Sequence, residues 1–274
     1  MERFKEFRSS FWFYDFTGYL LPGFFFVCLF IIDYDLSTLM RYNATHVDGF
    51  ISLSNNDLHF KMEYLFKFLT WNSDSDFKFT TVLISLLFCY VIGHIIAAIS
   101  SYLIESLFNH GLFKFPSENL LDNSKRSRLQ RIFKNYTRAF DVDFIKKFNE
   151  VFEKRFEIGL KQKDVFWLCF ADISNHCPMG FNRVIHFVNL YGFSRNISGA
   201  LIIYVILRLA AWPSLSSAID GYTCLILGCY VLCAMIMTKN YLKLFYRQCA
   251  ELYYHFYALH TDKEKPQSCS LEVK

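Results

Sequence analysis

Between Lys78 and Glu105 the chain runs for 26 consecutive residues without a formal charge, and this stretch constrains the fold more than any other feature. A helix rises ~1.5 Å per residue, so about 20 apolar residues cross the ~30 Å hydrocarbon layer of a bilayer. Three further stretches repeat the pattern. Asp15 to Asp33 encloses 17 uncharged residues, Asp220 to Lys239 encloses 18, and Arg195 to Asp220 encloses 24 interrupted only by Arg208. Polar backbone cannot lie bare in lipid, so each stretch must be helical. The expected fold is all-α, an integral membrane four-helix bundle with spans at about 16–32, 80–103, 197–213 and 221–238. Bulk composition hides this, because the 20% of charged residues is close to a globular average.

The spans divide the chain. Residues 1–103 form a transmembrane hairpin with an outer loop at 33–79. Residues 104–196 form a helical cytosolic domain inserted between spans 2 and 3, residues 197–238 a second hairpin, and residues 239–274 a cytosolic tail. The first span follows a leader of mixed charge and precedes no small-residue cleavage site, which reads as a retained span. Nine Lys and Arg residues lie within about 20 residues of a span end in the N-terminal, 104–196 and 239–274 segments, against four in the 33–79 loop. That bias places both termini and the 104–196 segment in the cytoplasm.

Within 104–196, "SKRSRLQRIFKNYTRAF" puts Leu129, Ile132, Phe133, Tyr136 and Phe140 on one helical face. Lys125, Arg126, Arg128, Arg131, Lys134 and Arg138 cover the rest. Such a basic helix can be a solvated face, dock on anionic lipid, or bind a nucleic acid or acidic protein. Further on, Phe144, Phe148, Val151, Phe152 and Phe156 form a stripe opposite mixed charges, and "DVFWLCFADI" is apolar nearly all round, as a buried helix should be. "FNRVIHFVNLYGFSRN" then runs into the third span.

Polar groups inside the spans are candidate functional residues. His94, Ala98, Ser101 and Glu105 follow helical spacing on one face, and Gly93, Ala97 and Ser101 form a series of small residues suited to close helix packing. Arg208 lies near the middle of its span, where an arginine costs at least ~2.5 kcal/mol and needs a partner or water. In a ring of copies, His94 and Arg208 are the residues to place at a central pore. Pro22 removes the hydrogen bond to the Gly18 carbonyl, so Pro22 and Gly23 mark a kink or hinge in the first span.

Signals for enzymatic chemistry are weak. Cys169, His176, Cys177 and His186 cluster in sequence without a zinc or Cys–His catalytic spacing. The nine cysteines include no CxxC pair and read as reduced and packed. "RYNATH", Arg41 to His46, matches an R-x4-H ribonuclease pattern but falls in the outer loop. Sequons stand at Asn43, Asn135 and Asn196. There is no P-loop, GxSxG or HExxH, so neither an enzyme nor a cofactor is expected.

Three stretches, "YDFTGYLLPGFFF", "YVIGHIIAAISSYLIE" and "LYGFSRNISGAL", resemble in style and order small multi-pass membrane proteins of bacterial antiviral defence loci. The membrane accessory proteins of type VI CRISPR systems are one such group. The resemblance implies a bacterial inner-membrane component that enhances defence by assembling and permeabilising or depolarising the membrane. It supplies no catalytic residue. Two expectations follow: a homo-oligomeric pore governed by the cytosolic domain, or a membrane scaffold that recruits a cytosolic defence protein or nucleic acid through the basic helix.

Overall fold

A computed structural model describes residues 15–32, 75–105, 115–122, 138–160, 164–210 and 221–261, and among these the chain is helical with no strand. Helix α1 is Phe16–Ile32, opening with a π-helical turn at Phe16–Leu20. Helix α2 runs Ser75–Ser100 and continues through a second π turn over 101–105. Helices α3 (Pro116–Leu121), α4 (Val142–Phe156) and α5 (Val165–His176) are short. Helices α6 (Pro178–Ala210) and α7 (Gly221–Thr261) are long.

Three helices are long and apolar enough to cross a membrane, Val82–Glu105, Pro178–Ala210 and Cys224–Thr261; α1 is apolar but shorter. Their surfaces confirm the apolar character in three dimensions. Leu83, Leu87, Phe88 and Ile95 of α2, Leu207 and Leu209 of α6, and Leu232, Met235 and Ile236 of α7 all point outward. A water-soluble bundle would bury these side chains, whereas hydrocarbon solvates them.

Contacts run α1 with α2, α2 with α6, α1 with α6, and α6 with α7, so α6 is the central element. Ser100 meets Gly199 and Glu105 meets Arg195, which makes α2 antiparallel to α6. Ser198 faces Ala234, and Gly180 faces His255, so α6 and α7 form an antiparallel pair along nearly their full length. Small residues set the closest approaches. A Cβ on Gly23 would fall 1.8 Å from the Cys89 carbonyl oxygen, and one on Gly93 would fall 1.9 Å from that of Tyr19. Backbone cannot give way there, so both positions require glycine. Ala97 is buried in the same seam. The third small position expected at Ser101 is instead Ser100, fully buried against Gly199.

At ~1.5 Å per residue, the 33 residues of α6 and 41 of α7 span about 50 and 60 Å, far more than a ~30 Å hydrocarbon layer. Both are thus longer than such a layer is thick, and their far halves build the largest core. Phe148 and Phe152 of α4, Cys169 and Ile173 of α5, Val184 of α6, and Leu252, Tyr253 and Phe256 of α7 are buried together. The α4 stripe seats here as its periodicity predicts, with Phe148 5.3 Å from Tyr253 and 5.6 Å from Phe256 between ring centroids. Two sequence expectations change. Residues 239–261 continue α7 into this core rather than leaving as a tail. The α5 segment is not buried all round: Trp167 is 64% exposed, while Asp172 turns inward.

Replacing Phe152, which is fully buried, removes ring contacts from α4 and α7 at once. Phe152→Ala is expected to destabilise the chain by about 3–5 kcal/mol. A thermal unfolding curve in detergent that matched the wild type would show that this core does not hold the fold.

Candidate functional site

The first π turn has a cause in the sequence. Pro22 has no N–H, so the Gly18 carbonyl loses the donor an α-helix would supply. Around it the helix widens, with the Leu21 N–H bonding the Phe16 carbonyl. The stranded Gly18 oxygen accepts a hydrogen bond from Asn196 Nδ2 of α6 at 2.6 Å. Asn196 is buried, and its Oδ1 accepts from Arg195 Nε at 3.1 Å. Arg195 Nη1 donates in turn to Glu105 Oε1, within the second π turn. Ser101 Oγ closes the chain, donating to Glu105 Oε2 at 2.8 Å.

One hydrogen-bonded path, Ser101–Glu105–Arg195–Asn196–Gly18, thus joins α2, α6 and α1, and both π turns end on consecutive residues of α6. Single π turns inside α-helices occur frequently at functional sites. The Arg195 side chain is 12% exposed and that of Glu105 30%, so the pair is partly desolvated. On the other side of α6, Asn240 Nδ2 donates to Ser194 Oγ at 2.9 Å, and Ser198 Oγ donates to the Ala234 carbonyl at 3.0 Å. These bonds fall at one level of the bundle, where the uncharged runs of α2, α6 and α7 give way to charge at Glu105, Arg195 and Lys239.

The expected polar stripe on α2 is split. Ser101 and Glu105 join this network, whereas His94 is exposed and stacks on Tyr19 at 3.8 Å with Tyr90 edge-on at 4.5 Å. The two ends of the stripe meet different helices, since Gly93 lies against Tyr19 of α1 whereas Ser100 lies against Gly199 of α6. Arg208 is half-buried in the last turn of α6 as described, about 20 Å along the helix from Arg195. Lys125, Arg126, Arg128, Arg131 and Lys134 lie outside the described residues, as do the 33–74 part of the outer loop, Arg41 to His46, and Asn43 and Asn135. Arg138 is exposed, and residues 138–141 are not helical as expected for 125–140. The Phe140 N–H explains this, since it bonds the Leu120 carbonyl at 2.9 Å.

A second polar cluster lies in the large core. The Asp172 side chain is 4% exposed and receives Arg155 Nη2 at 2.8 Å and Nε at 3.0 Å on one oxygen. His260 Nε2 meets the other at 2.6 Å, and His176 Nδ1 lies 2.8 Å from the Asp172 backbone carbonyl. Burial alone would raise the Asp172 pKa, but the bonds from His260 and Arg155 outweigh it and hold the carboxyl below its ordinary range. Of the sequence cluster, Cys169 and Cys177 are buried, whereas His176 and His186 are exposed. Burial pushes the Cys169 thiol well up, away from nucleophilic use. Among the described residues no group of His, Cys, Asp and Glu is arranged to hold a metal.

Sequence reasoning missed Arg195 and Asn196 as partners and Asp172 with Arg155 and His260. One signal was present: a proline that frees a carbonyl inside an apolar helix demands a donor from elsewhere. No protein-family model matches the chain, nor does any curated protein or solved structure.

Arg195→Met leaves Glu105 unpaired and is expected to lower stability by roughly 2–4 kcal/mol, between the values for exposed and buried pairs. The double variant with Glu105→Gln should recover part of that loss. Melting temperatures in detergent check the pair, and additive losses would refute the coupling. Asp172 stabilises the fold in full above about pH 3.9, the unfolded value, and the contribution fades as pH falls toward its lowered native pKa. Asp172→Asn should therefore be less stable than wild type at neutral pH, with the gap closing in acid. A constant gap across that range would contradict this linkage.

Proposed function

We propose that the protein is a membrane effector in which a cytosolic helical domain sets the arrangement of the spans, and that several copies together open an ion-conducting path. The carrying observation is the unbroken course of α6 and α7 out of the apolar bundle and into the aromatic core. A displacement of α4 or α5 against that core acts directly on α7 and on α6, the helix that carries Arg195 and Asn196. α1 completes a set of four spans, with both termini and the 104–196 domain on the cytoplasmic side of a bacterial inner membrane.

Inside one chain, Glu105, Arg195, Asn196, Ser194, Ser198 and Asn240 bond from helix to helix, which leaves little of this network for a conduit. His94 faces outward at about the midpoint of Val82–Glu105. A polar ring there favours a path between copies over one through a single chain, because membrane-embedded ionisable groups face protein or water. The resemblance to membrane proteins of antiviral defence suggests infection as the trigger.

Membrane potential in cells, read with a potential-sensitive dye at matched membrane levels and with or without phage, tests the proposal. The wild type is expected to depolarise the membrane on infection. Arg195→Gln, which loosens the tie among α1, α2 and α6, should depolarise it without infection. A flat signal from both proteins under both conditions would refute ion conduction and leave the scaffold role.

A further inference from the structure

The outward face of α7 changes character within one turn. Leu225, Leu232 and Ile236 are exposed and apolar, and Lys239, Lys243 and Arg247 continue the same face at three- and four-residue spacing. Lys239 and Arg247 are exposed and Lys243 is half-buried, and none makes an ion pair with a described residue. The change begins at the level of the bundle's polar network, since Asn240 bonds Ser194 beside Arg195. The first acid along this part of α7 is Glu251, which lies 3.5 Å from His255.

A fourth cation comes from elsewhere. Tyr246 Oη donates to the Arg138 carbonyl at 3.1 Å, which pins the exposed Arg138 beside α7 between the levels of Lys243 and Arg247. The chain then turns away, because Phe140 packs on Tyr253 and Tyr254 at 6.3 and 5.0 Å. That contact lies about 10 Å further along α7, so Asp141 and Asp143 follow well beyond the boundary. Lys239, Lys243, Arg247 and Arg138 therefore gather near the apolar surface, while Glu251, Asp141 and Asp143 stand further off and Glu105, at the level of Lys239, is held by Arg195.

We infer that Lys239, Lys243, Arg247 and Arg138 form a surface for the headgroups of anionic phospholipids in the adjoining leaflet. Lys239 stands at the first turn past the apolar face and Lys243 about 6 Å beyond, within a headgroup layer roughly 5–7 Å thick. Arg247, about 12 Å beyond, and Arg138 meet that layer only by extending their long side chains back toward it. Long basic side chains lay their methylene stems along apolar surface and place their charge at phosphate level. A nucleic acid approaches from the aqueous side and would not require cations that extend an exposed apolar face. The inference rests on the membrane location of the apolar half of α7 and stands whether or not ions flow.

Native mass spectrometry of the full chain, released from detergent with equal phosphatidylglycerol and phosphatidylcholine, tests this surface. The wild type should favour phosphatidylglycerol by at least about fivefold, the factor expected for one basic side chain at an anionic surface. Lys239→Gln/Lys243→Gln/Arg247→Gln should fall to near parity, while Lys146→Gln/Lys147→Gln, changed on the exposed side of α4, should keep the preference. A melting curve in zwitterionic detergent checks that the triple variant is folded, and single substitutions serve if it is not. Parity in the wild type, or a preference that survives in the variants, overturns the inference. So does single-stranded RNA that binds the wild type and displaces phosphatidylglycerol through the same three residues.

Discussion

In hydrocarbon there is no water to take a hydrogen bond that the protein leaves open, and one such opening shapes the bundle. Pro22 strands the Gly18 carbonyl inside an apolar helix, where an unmet acceptor costs several kcal/mol. Asn196 meets it from α6, which fixes how deep α1 sits against α6. Gly23 and Gly93, with no room for a Cβ, then bring α2 against the same part of α1. Arg195 follows Asn196 in the chain and takes Glu105 from α2. Three helices are thus registered against one another by two adjacent residues, and the apolar packing of Leu29, Ile197, Leu201, Tyr204 and Ala234 fills in around that register.

The larger core has a different logic. It is rich in aromatic rings from α4 and α7, with Phe148, Phe152 and Phe156 against Tyr253 and Phe256. A charged cluster within it, Asp172 with Arg155 and His260, ties α4, α5 and the end of α7 together. Because α7 belongs to both regions without a break, motion of its far half is carried down the helix axis rather than absorbed in a linker. A helix transmits translation and rotation well because every residue is held by the i→i−4 ladder.

Much of this was legible in the sequence, for identifiable reasons. Long uncharged runs located α1, α2, the second half of α6 and the near half of α7, since crossing hydrocarbon is a one-dimensional constraint on consecutive residues. The phenylalanine stripe of α4 announced its buried face through its period. The far half of α7 was missed because Lys239, Lys243 and Arg247 make its first turns polar, while its buried face, with Cys249, Leu252, Tyr253 and Phe256, emerges only later. Asp172 was missed because a carboxylate in an apolar helix gives no local sign of a partner 88 residues away at His260. The Arg195–Glu105 pair spans 90 residues and was hidden the same way. The proline rule supplied half of the Gly18–Asn196 bond, the acceptor without its donor.

The position of the Arg195–Glu105 pair bears on how such a bundle could change state. In water the pair would contribute under ~1 kcal/mol, and at the bilayer centre its desolvation would rival its attraction. Where it stands, at the end of the uncharged runs, it is partly shielded while both partners keep some exposure, the range where a small axial shift alters its strength most. Sliding α2 or α6 by one turn, about 5.4 Å, would carry one charge into hydrocarbon or out into water and break the path to Asn196. Intermediate positions leave both Glu105 and the Gly18 carbonyl poorly bonded. The network therefore favours discrete registers of α1, α2 and α6 over a continuum.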